Sequence, residues 1–233
     1  MLIIGHRGAA GLARENTVEA LRAGLEAGAD ILEFDVRLTK DKVPVLVHDF
    51  HILRTHGDLS LISRSTFAEL QQHTEKSPIV RLSDILDEFF GVIILNIELK
   101  GRGTGKIVAE LLKKNYAKTK SQWENVLISS FRGSELLAVR RISRFANLAL
   151  LHSENPFIFI AYHRRLHLSA VGFHRLYLNT FALEIAKRAK LFIYTYTVNR
   201  PQTALMLAQK DIDGIVTDYP DTILKEIEKH KLD

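Results

Sequence analysis

Short apolar runs recur along the chain, and the stretches between them carry apolar residues three and four apart. The runs at 2–6, 31–38, 92–98, 126–130, 147–151, 169–173, 191–197 and 213–217 read as strands. The stretches 16–28, 83–90, 104–115, 133–144, 155–165, 180–189, 200–209 and 220–230 read as helices. An extra extended piece, "VPVLVH" at 43–48, follows the second strand. Strand–helix alternation implies parallel strands joined by crossover helices. Eight such units in 233 residues match the size and count of a closed parallel (β/α)8 TIM barrel. An open doubly wound sheet is the alternative, but "GHRGAAG" at 5–11 lacks the G-x-G-x-x-G spacing of that fold's first turn.

Local signals place the breaks. Asn16, with Glu19 three residues on, reads as a capping-box variant opening the first helix, and Gly28 closes it. Asn199 before Pro201 marks another helix start. The longest irregular region, 49–82, is too short for a separate domain and is expected to be a loop or small insertion at the barrel rim. No linker or repeat interrupts the chain, so 1–233 is expected to be a single domain.

Side chains at i and i+2 of a strand share a face. In "ILEFDVRL", Leu32, Phe34, Val36 and Leu38 form one face, and Glu33, Asp35 and Arg37 the other. In "LNIELKG", Asn96, Glu98 and Lys100 lie opposite Ile97 and Leu99. The apolar faces pack on the helices, so the charged faces point into the barrel. Neighbouring strands then aim Glu33, Asp35 and Glu98 at a common point. Such convergence is what a hard divalent cation requires. The competing explanation is an internal ion network with Arg7, Arg37 and Lys100. His6 and His48 sit at strand ends, where barrels of this kind carry their active sites. Two histidines beside three acids point to an acid/base pair or to metal ligands. His152 and His174, at later strand ends, are weaker candidates for the cleft. His51, His56, His73, His163, His167 and His230 read as surface or loop.

Composition narrows the class. Hydrophobic residues make up 46% and charged residues 25%, the mix of a soluble globular protein. No stretch reaches the roughly 18 apolar residues of a membrane span. Cysteine is absent, and no basic segment with a cleavable apolar run precedes the first strand, so a cytoplasmic location is expected. The net charge of +5 suits an anionic substrate. The basic clusters "RRISR" (140–144) and "HRRLH" (163–167) lack interleaved aromatics and read as solvated helix faces. Neither nucleic-acid binding nor stable membrane insertion is expected; oligomeric state is left open.

Several of these stretches resemble one family. "HRG" on the first strand, "ENT" before the first helix, "EFDVRLTKD", "HD" and "LRTHGD" are similar to segments of glycerophosphodiester phosphodiesterases. So are "NIELK", "ISSF", "YTYTVN" and "GIVTDYP", and the resemblance runs from 3 to 220. These enzymes belong with the phosphatidylinositol-phospholipase-C-like TIM-barrel phosphodiesterases. The resemblance implies metal-dependent hydrolysis of a small-molecule glycerophosphodiester to glycerol 3-phosphate and an alcohol. It implies His6 and His48 as the acid/base pair, and Arg7 and Lys100 on the phosphate. Glu33, Asp35 and Glu98 would hold one divalent cation, Mg²⁺ or Ca²⁺, with Mn²⁺ also suitable. Which histidine is the base, and whether a cyclic phosphate forms, stay open.

Two departures from the family pattern stand out. Tyr196 replaces the usual tryptophan of "YTWTVN", keeping an aromatic substrate wall and adding a hydroxyl. The segment after His48 is short, which implies a more open cleft. The alternatives are a lysophospholipase D or cyclising phospholipase acting on lipids, and an inactive barrel that binds phosphate esters. Barrel amidohydrolases want a His-x-His on the first strand, which is absent here.

Overall fold

Each of the eight predicted strand–helix units forms. The structure is a computed structural model and describes residues 1–75, 77–152 and 154–230. Strands β1 (Leu2–Gly5), β2 (Ile31–Leu38), β3 (Pro44–Leu46), β4 (Ile94–Leu99) and β5 (Val126–Ser130) are followed by β6 (Asn147–His152), β7 (Ala170–His174), β8 (Phe192–Tyr196) and β9 (Gly214–Thr217). Eight of them pair in parallel in the order β1-β2-β4-β5-β6-β7-β8-β9, and β9 returns to β1 to close the ring. The outer helices are α1 (Val18–Glu26), α2 (Leu82–Phe89), α3 (Thr104–Leu111), α4 (Gly133–Ile142), α5 (Ile158–Leu166), α6 (Thr180–Arg188), α7 (Pro201–Ala208) and α8 (Pro220–Lys229).

The ninth strand is the "VPVLVH" piece. β3 runs antiparallel to β2, pairing Val36 with Leu46 and Leu38 with Pro44. β1 pairs only with the other end of β2, through Ile31 and Leu32. β3 therefore takes up the ladder of β2 where β1 stops. The insertion that follows contains helices at Leu53–His56 and Phe67–His73. It closes over a small core of its own, formed by Val45, Val47, Ile52, Ile62, Leu70 and Ile79. One residue of this expected rim segment, Lys76, lies outside the described residues.

Alternation separates two apolar layers. Leu32, Phe34 and Val36 join Ile97 and Leu99 in the large layer between barrel and helices. Ile4, Ile31, Leu127, Ala149, Leu151, Ala170, Tyr194 and Val216 fill the barrel interior. That inner cluster is the floor on which the polar residues stand.

Three local expectations need correction. The first helix is capped by Thr17, whose hydroxyl accepts from the Ala20 N–H, and not by Asn16. Asn16 instead has a left-handed backbone (φ 58°) and points inward. The helix expected over 104–115 stops being α-helical at Leu111 and continues as a π turn to Tyr116. The "RRISR" cluster is not simply a solvated face. Arg140 donates to five carbonyls, those of Leu166, Ser143, Arg144, Ala146 and His167, at 2.6–3.3 Å. It ties the end of α4 to the end of α5. By contrast, Arg164, Arg165 and His167 of the second cluster are exposed, as expected.

Hydrogen bonds to a charged group contribute more than neutral ones. Arg140→Ala is expected to cost about 2 kcal/mol of folding stability, read by urea denaturation, because five carbonyls lose their donor together. A loss under ~0.5 kcal/mol, the level of an ordinary surface change, would show that water replaces the guanidinium.

Candidate active site

The chain leaves β1 through a tight left-handed turn. Arg7 has φ 51° and Gly8 φ 87°, and a Cβ on Gly8 would meet the Ala20 carbonyl carbon of α1 at 2.4 Å. Only glycine fits there. The turn aims the Arg7 N–H at Glu33 Oε2, 2.8 Å away, while the Gly8 N–H bonds the Glu33 carbonyl at 2.8 Å. The first strand end is thereby fixed to the second.

β2 and β4 pair in register, with Asp35 beside Glu98 and Glu33 beside Asn96. All three acids are buried, and oxygens of Glu33, Asp35 and Glu98 lie within 4.8 Å of one another. Cations answer them unevenly. Lys100 Nζ lies 2.5 Å from Glu98 Oε1 and 3.2 Å from Asp35 Oδ1. Arg7 Nε lies 3.2 Å from Asp35 Oδ2. Asn16 clasps Asp35 from both sides, donating Nδ2 to Oδ2 and accepting the Asp35 N–H, each at 3.0 Å.

The acids diverge accordingly. Burial pushes the Asp35 carboxyl up, but Lys100 and Arg7 outweigh it and hold it down to about 2. Glu33 is pushed up to about 8 by burial, with Asp35 and Glu98 adding repulsion. Burial also raises Glu98 despite Lys100. Glu33 Oε1 is buried without a hydrogen-bond partner among the described residues. An oxygen-rich cluster with an unsatisfied acceptor fits a hard divalent cation.

Both histidines face this cluster with one ring nitrogen already engaged. His6 Nδ1 lies 2.6 Å from Asp218 Oδ1, and Asn199 steadies Asp218 at 2.5 Å. His48 Nδ1 lies 2.7 Å from Asp49 Oδ1. Asp49 accepts from Arg54, Arg54 forks onto Glu15, and Glu15 accepts from Arg7 at 2.9 Å. The two sides of the site are thus joined by a chain of alternating charge. Burial pulls His6 down, but Asp218 and Glu33 more than compensate and leave it above its ordinary 6.5. Burial keeps His48 below that value in spite of Asp35.

His6, Arg7, Glu33, His48, Glu98, Lys100 and Tyr196 line one cavity of about 220 Å³ at the carboxyl ends of the strands. Asp35 lies behind that lining, almost fully buried. Tyr196 forms an aromatic wall with Phe131, edge to face at 5.9 Å, and its hydroxyl donates to the His152 carbonyl. His152 itself is not a cleft residue. Its ring turns outward against Phe159 and Phe173, at 5.9 and 5.6 Å, because alternation places it on the helix side. His174 stands behind Tyr196 at 5.8 Å.

Residues 6–222 match the model of the glycerophosphoryl diester phosphodiesterase family. The chain belongs to that family. YhdW of Bacillus subtilis, provisionally named a glycerophosphodiester phosphodiesterase, is 30% identical over 97% of this chain and 98% of its own. A glycerophosphodiester phosphodiesterase of Caldanaerobacter subterraneus is 27% identical over 98% of both chains. A phosphodiesterase of Oleispira antarctica, solved with the product sn-glycerol-3-phosphate, superposes with a TM-score of 0.86 at 25% identity, covering 98% of this chain and 97% of that one. The glycerophosphodiester phosphodiesterase of Thermotoga maritima gives 0.82 at 27% identity, over 97% of both.

In this family member, Asp218, Asn199, Asp49, Asn16 and the Glu15–Arg54 pair were not among the predicted site residues. Asp218 directly follows β9 at a strand end, a signal that was available from "GIVTD". Replacing Asp218 with Asn removes one of the two charges that raise His6. The Asp218→Asn variant is expected to titrate His6 at lower pH, followed by NMR of the imidazole. A raised His6 stabilises the fold below its unfolded value of 6.5 and loses that contribution as pH climbs through the folded value. The variant therefore loses stability at acid pH relative to wild type, and less at alkaline pH. An unchanged His6 titration would remove Asp218 from this role.

Proposed function

We propose that this chain hydrolyses glycerophosphodiesters to glycerol 3-phosphate and an alcohol, with His6 and His48 exchanging protons at the scissile phosphate. A single observation carries the proposal: two histidines, each oriented by a carboxylate, line one cavity with Glu33 and Glu98, and Asp35 stands just behind them in the same acid cluster. Glu33, Asp35 and Glu98 would hold Mg²⁺, Ca²⁺ or Mn²⁺, which supplies charge neutralisation on phosphoryl oxygens. With Nδ1 engaged, each histidine turns Nε2 to the substrate. One ring takes a proton from the attacking oxygen, that of water or of a glycerol hydroxyl, as it bonds to phosphorus, and the other gives one to the departing alkoxide oxygen; after attack by the glycerol hydroxyl, water opens the cyclic phosphate to glycerol 3-phosphate. Arg7 and Lys100 neutralise the phosphate, Arg7 with the N–H groups its carboxylate partners leave free. Tyr196 and Phe131 form the wall against the glycerol or its leaving group. The whole chain, 1–233, works as one catalytic unit, and its cysteine-free composition favours the cytoplasm.

One observation favours a second substrate class. Phe50, Leu53 and Leu59 of the rim insertion are exposed, and an acyl chain could lie on them. Lysophospholipase D activity is read directly by assaying lysophosphatidylcholine beside glycerophosphocholine.

Cation dependence has a defined pH signature. Glu33 must lose its proton to act as a ligand, and its carboxyl sits at about 8. Mg²⁺ affinity, measured by calorimetry, is therefore expected to rise with pH up to that value and then level off. Full turnover of glycerophosphocholine in excess EDTA, with no bound metal found, would overturn the cation's role.

His6→Ala and His48→Ala are each expected to lower kcat by at least ~100-fold, the lower end for acid/base catalysis, with Mg²⁺ affinity retained. A variant that keeps near-normal kcat takes that histidine out of the pair.

A further inference from the structure

A second cavity, of about 350 Å³, adjoins the first and shares Lys100 with it. It lies between the rim insertion and the loops that follow β4 and β5. Among the described residues, its lining holds four cationic side chains, Arg37, Lys100, Arg102 and Arg132, and no acid. Lys100 is committed to Glu98 and Asp35. The other three are not: among the described residues, none of Arg37, Arg102 and Arg132 takes part in an ion pair. Arg37 is nevertheless fixed, because its Nε donates to the His48 carbonyl at 2.8 Å. The nearby Glu135 does not balance these charges through contact, since it gives its oxygens to the Gly103 and Gly105 N–H groups at 3.1 and 2.9 Å.

A second observation points the same way. Thr104 lines this cavity, and its hydroxyl is fully buried with no hydrogen-bond partner among the described residues. A buried hydroxyl left unpaired costs free energy unless something meets it. Guanidinium groups that take part in no ion pair and share a cavity wall with a threonine suit a phosphate, whose oxygens accept planar forked bonds.

We propose that this cavity is a second phosphate subsite, and that the preferred leaving alcohol carries a phosphomonoester. Because the two cavities meet at Lys100, we place both phosphates on one molecule, the scissile diester in the first cavity and the terminal monoester in the second. The substrate assignment rests on the phosphodiesterase proposal; the subsite does not.

Two soluble substrates test it: glycerophosphoglycerol, and the same molecule bearing a terminal phosphomonoester. Wild type is expected to show a KM about tenfold lower for the phosphorylated substrate, equivalent to one well-made charged contact. The double variant Arg102→Ala/Arg132→Ala should abolish that difference and leave the KM for glycerophosphoglycerol within about twofold, since exposed charges away from the reacting atoms act mainly on the group they touch. Calorimetry with inorganic phosphate on the full chain should count two sites in wild type and one in the double variant. Equal KM values in wild type, a KM rise for both substrates, or an unchanged phosphate count would each overturn the subsite. If neither substrate is turned over, the phosphodiesterase proposal fails, and the phosphate count still decides the subsite. Phosphatidylcholine vesicles carrying phosphatidic acid form the last arm. Loss of vesicle binding in the double variant, with both KM values unchanged, would assign the anion to a lipid surface and overturn the soluble substrate.

Discussion

Three carboxylates share one buried space, and the surrounding structure is built to tolerate them. Their oxygens lie within 4.8 Å of one another, inside a barrel whose floor is apolar. Like charges at that separation cannot all ionise without compensation. The compensation is unequal, and the inequality has chemical content. Asp35 receives Lys100, Arg7 and both ends of the Asn16 amide, so its charge is secured by protein alone. Among the described residues, Glu33 receives one backbone N–H on one oxygen and no hydrogen bond on the other. The site therefore combines an anchor whose charge the protein itself answers with a carboxyl that burial and its acidic neighbours push up.

Rigid placement of the histidines follows from how the ring of strands is completed. β1 leaves the edge of β2 after two residues, and β3 takes it over from the opposite direction. The Val47 N–H then bonds the Asp35 carbonyl at 3.0 Å, which delivers His48 to the mouth of the barrel beside the acids. His6 arrives from β1, and its Asp218 partner follows the adjacent β9. Groups far apart in sequence are thus set by ladder hydrogen bonds, not by flexible loops. The chain of ion pairs from Arg7 through Glu15, Arg54 and Asp49 to His48 couples the two halves across the rim.

Alternation of strands with helices made the barrel legible in the sequence, and period-two alternation within the strands made the acid cluster legible. Glu33, Asp35 and Glu98 stood out because each interrupts an otherwise apolar strand, and parallel register then brings them together. Asn16 was misjudged for a physical reason. Its sequence context permits a cap, and Thr17, one residue on, is an equally good capper; only the positive φ turns Asn16 toward Asp35. Arg140 was hidden because a basic cluster on a helix looks the same whether its guanidinium meets water or five carbonyls. His152 was only a weak candidate for the cleft, because at a strand end a one-residue change in alternation reverses the face. The Asp218–His6 pair spans 212 residues, and no local pattern reports a contact of that range.

How completely each arginine is satisfied separates the structural arginines from those free to bind. Arg140 spends its guanidinium on five backbone carbonyls and has little left to offer a ligand. Arg54 is saturated by Glu15 and Asp49, and so serves to orient His48. Arg7 is intermediate, paired with Glu15 and Asp35 yet lining the cavity. Arg102 and Arg132 stand at the other extreme, beside a wall that also holds an unpaired buried hydroxyl. Along the rim, then, unmet hydrogen-bonding capacity increases from the positions that hold the fold to those that face the cavities. Unmet capacity in a concave wall is what a polar ligand exploits, because it gains contacts without displacing any the protein already makes.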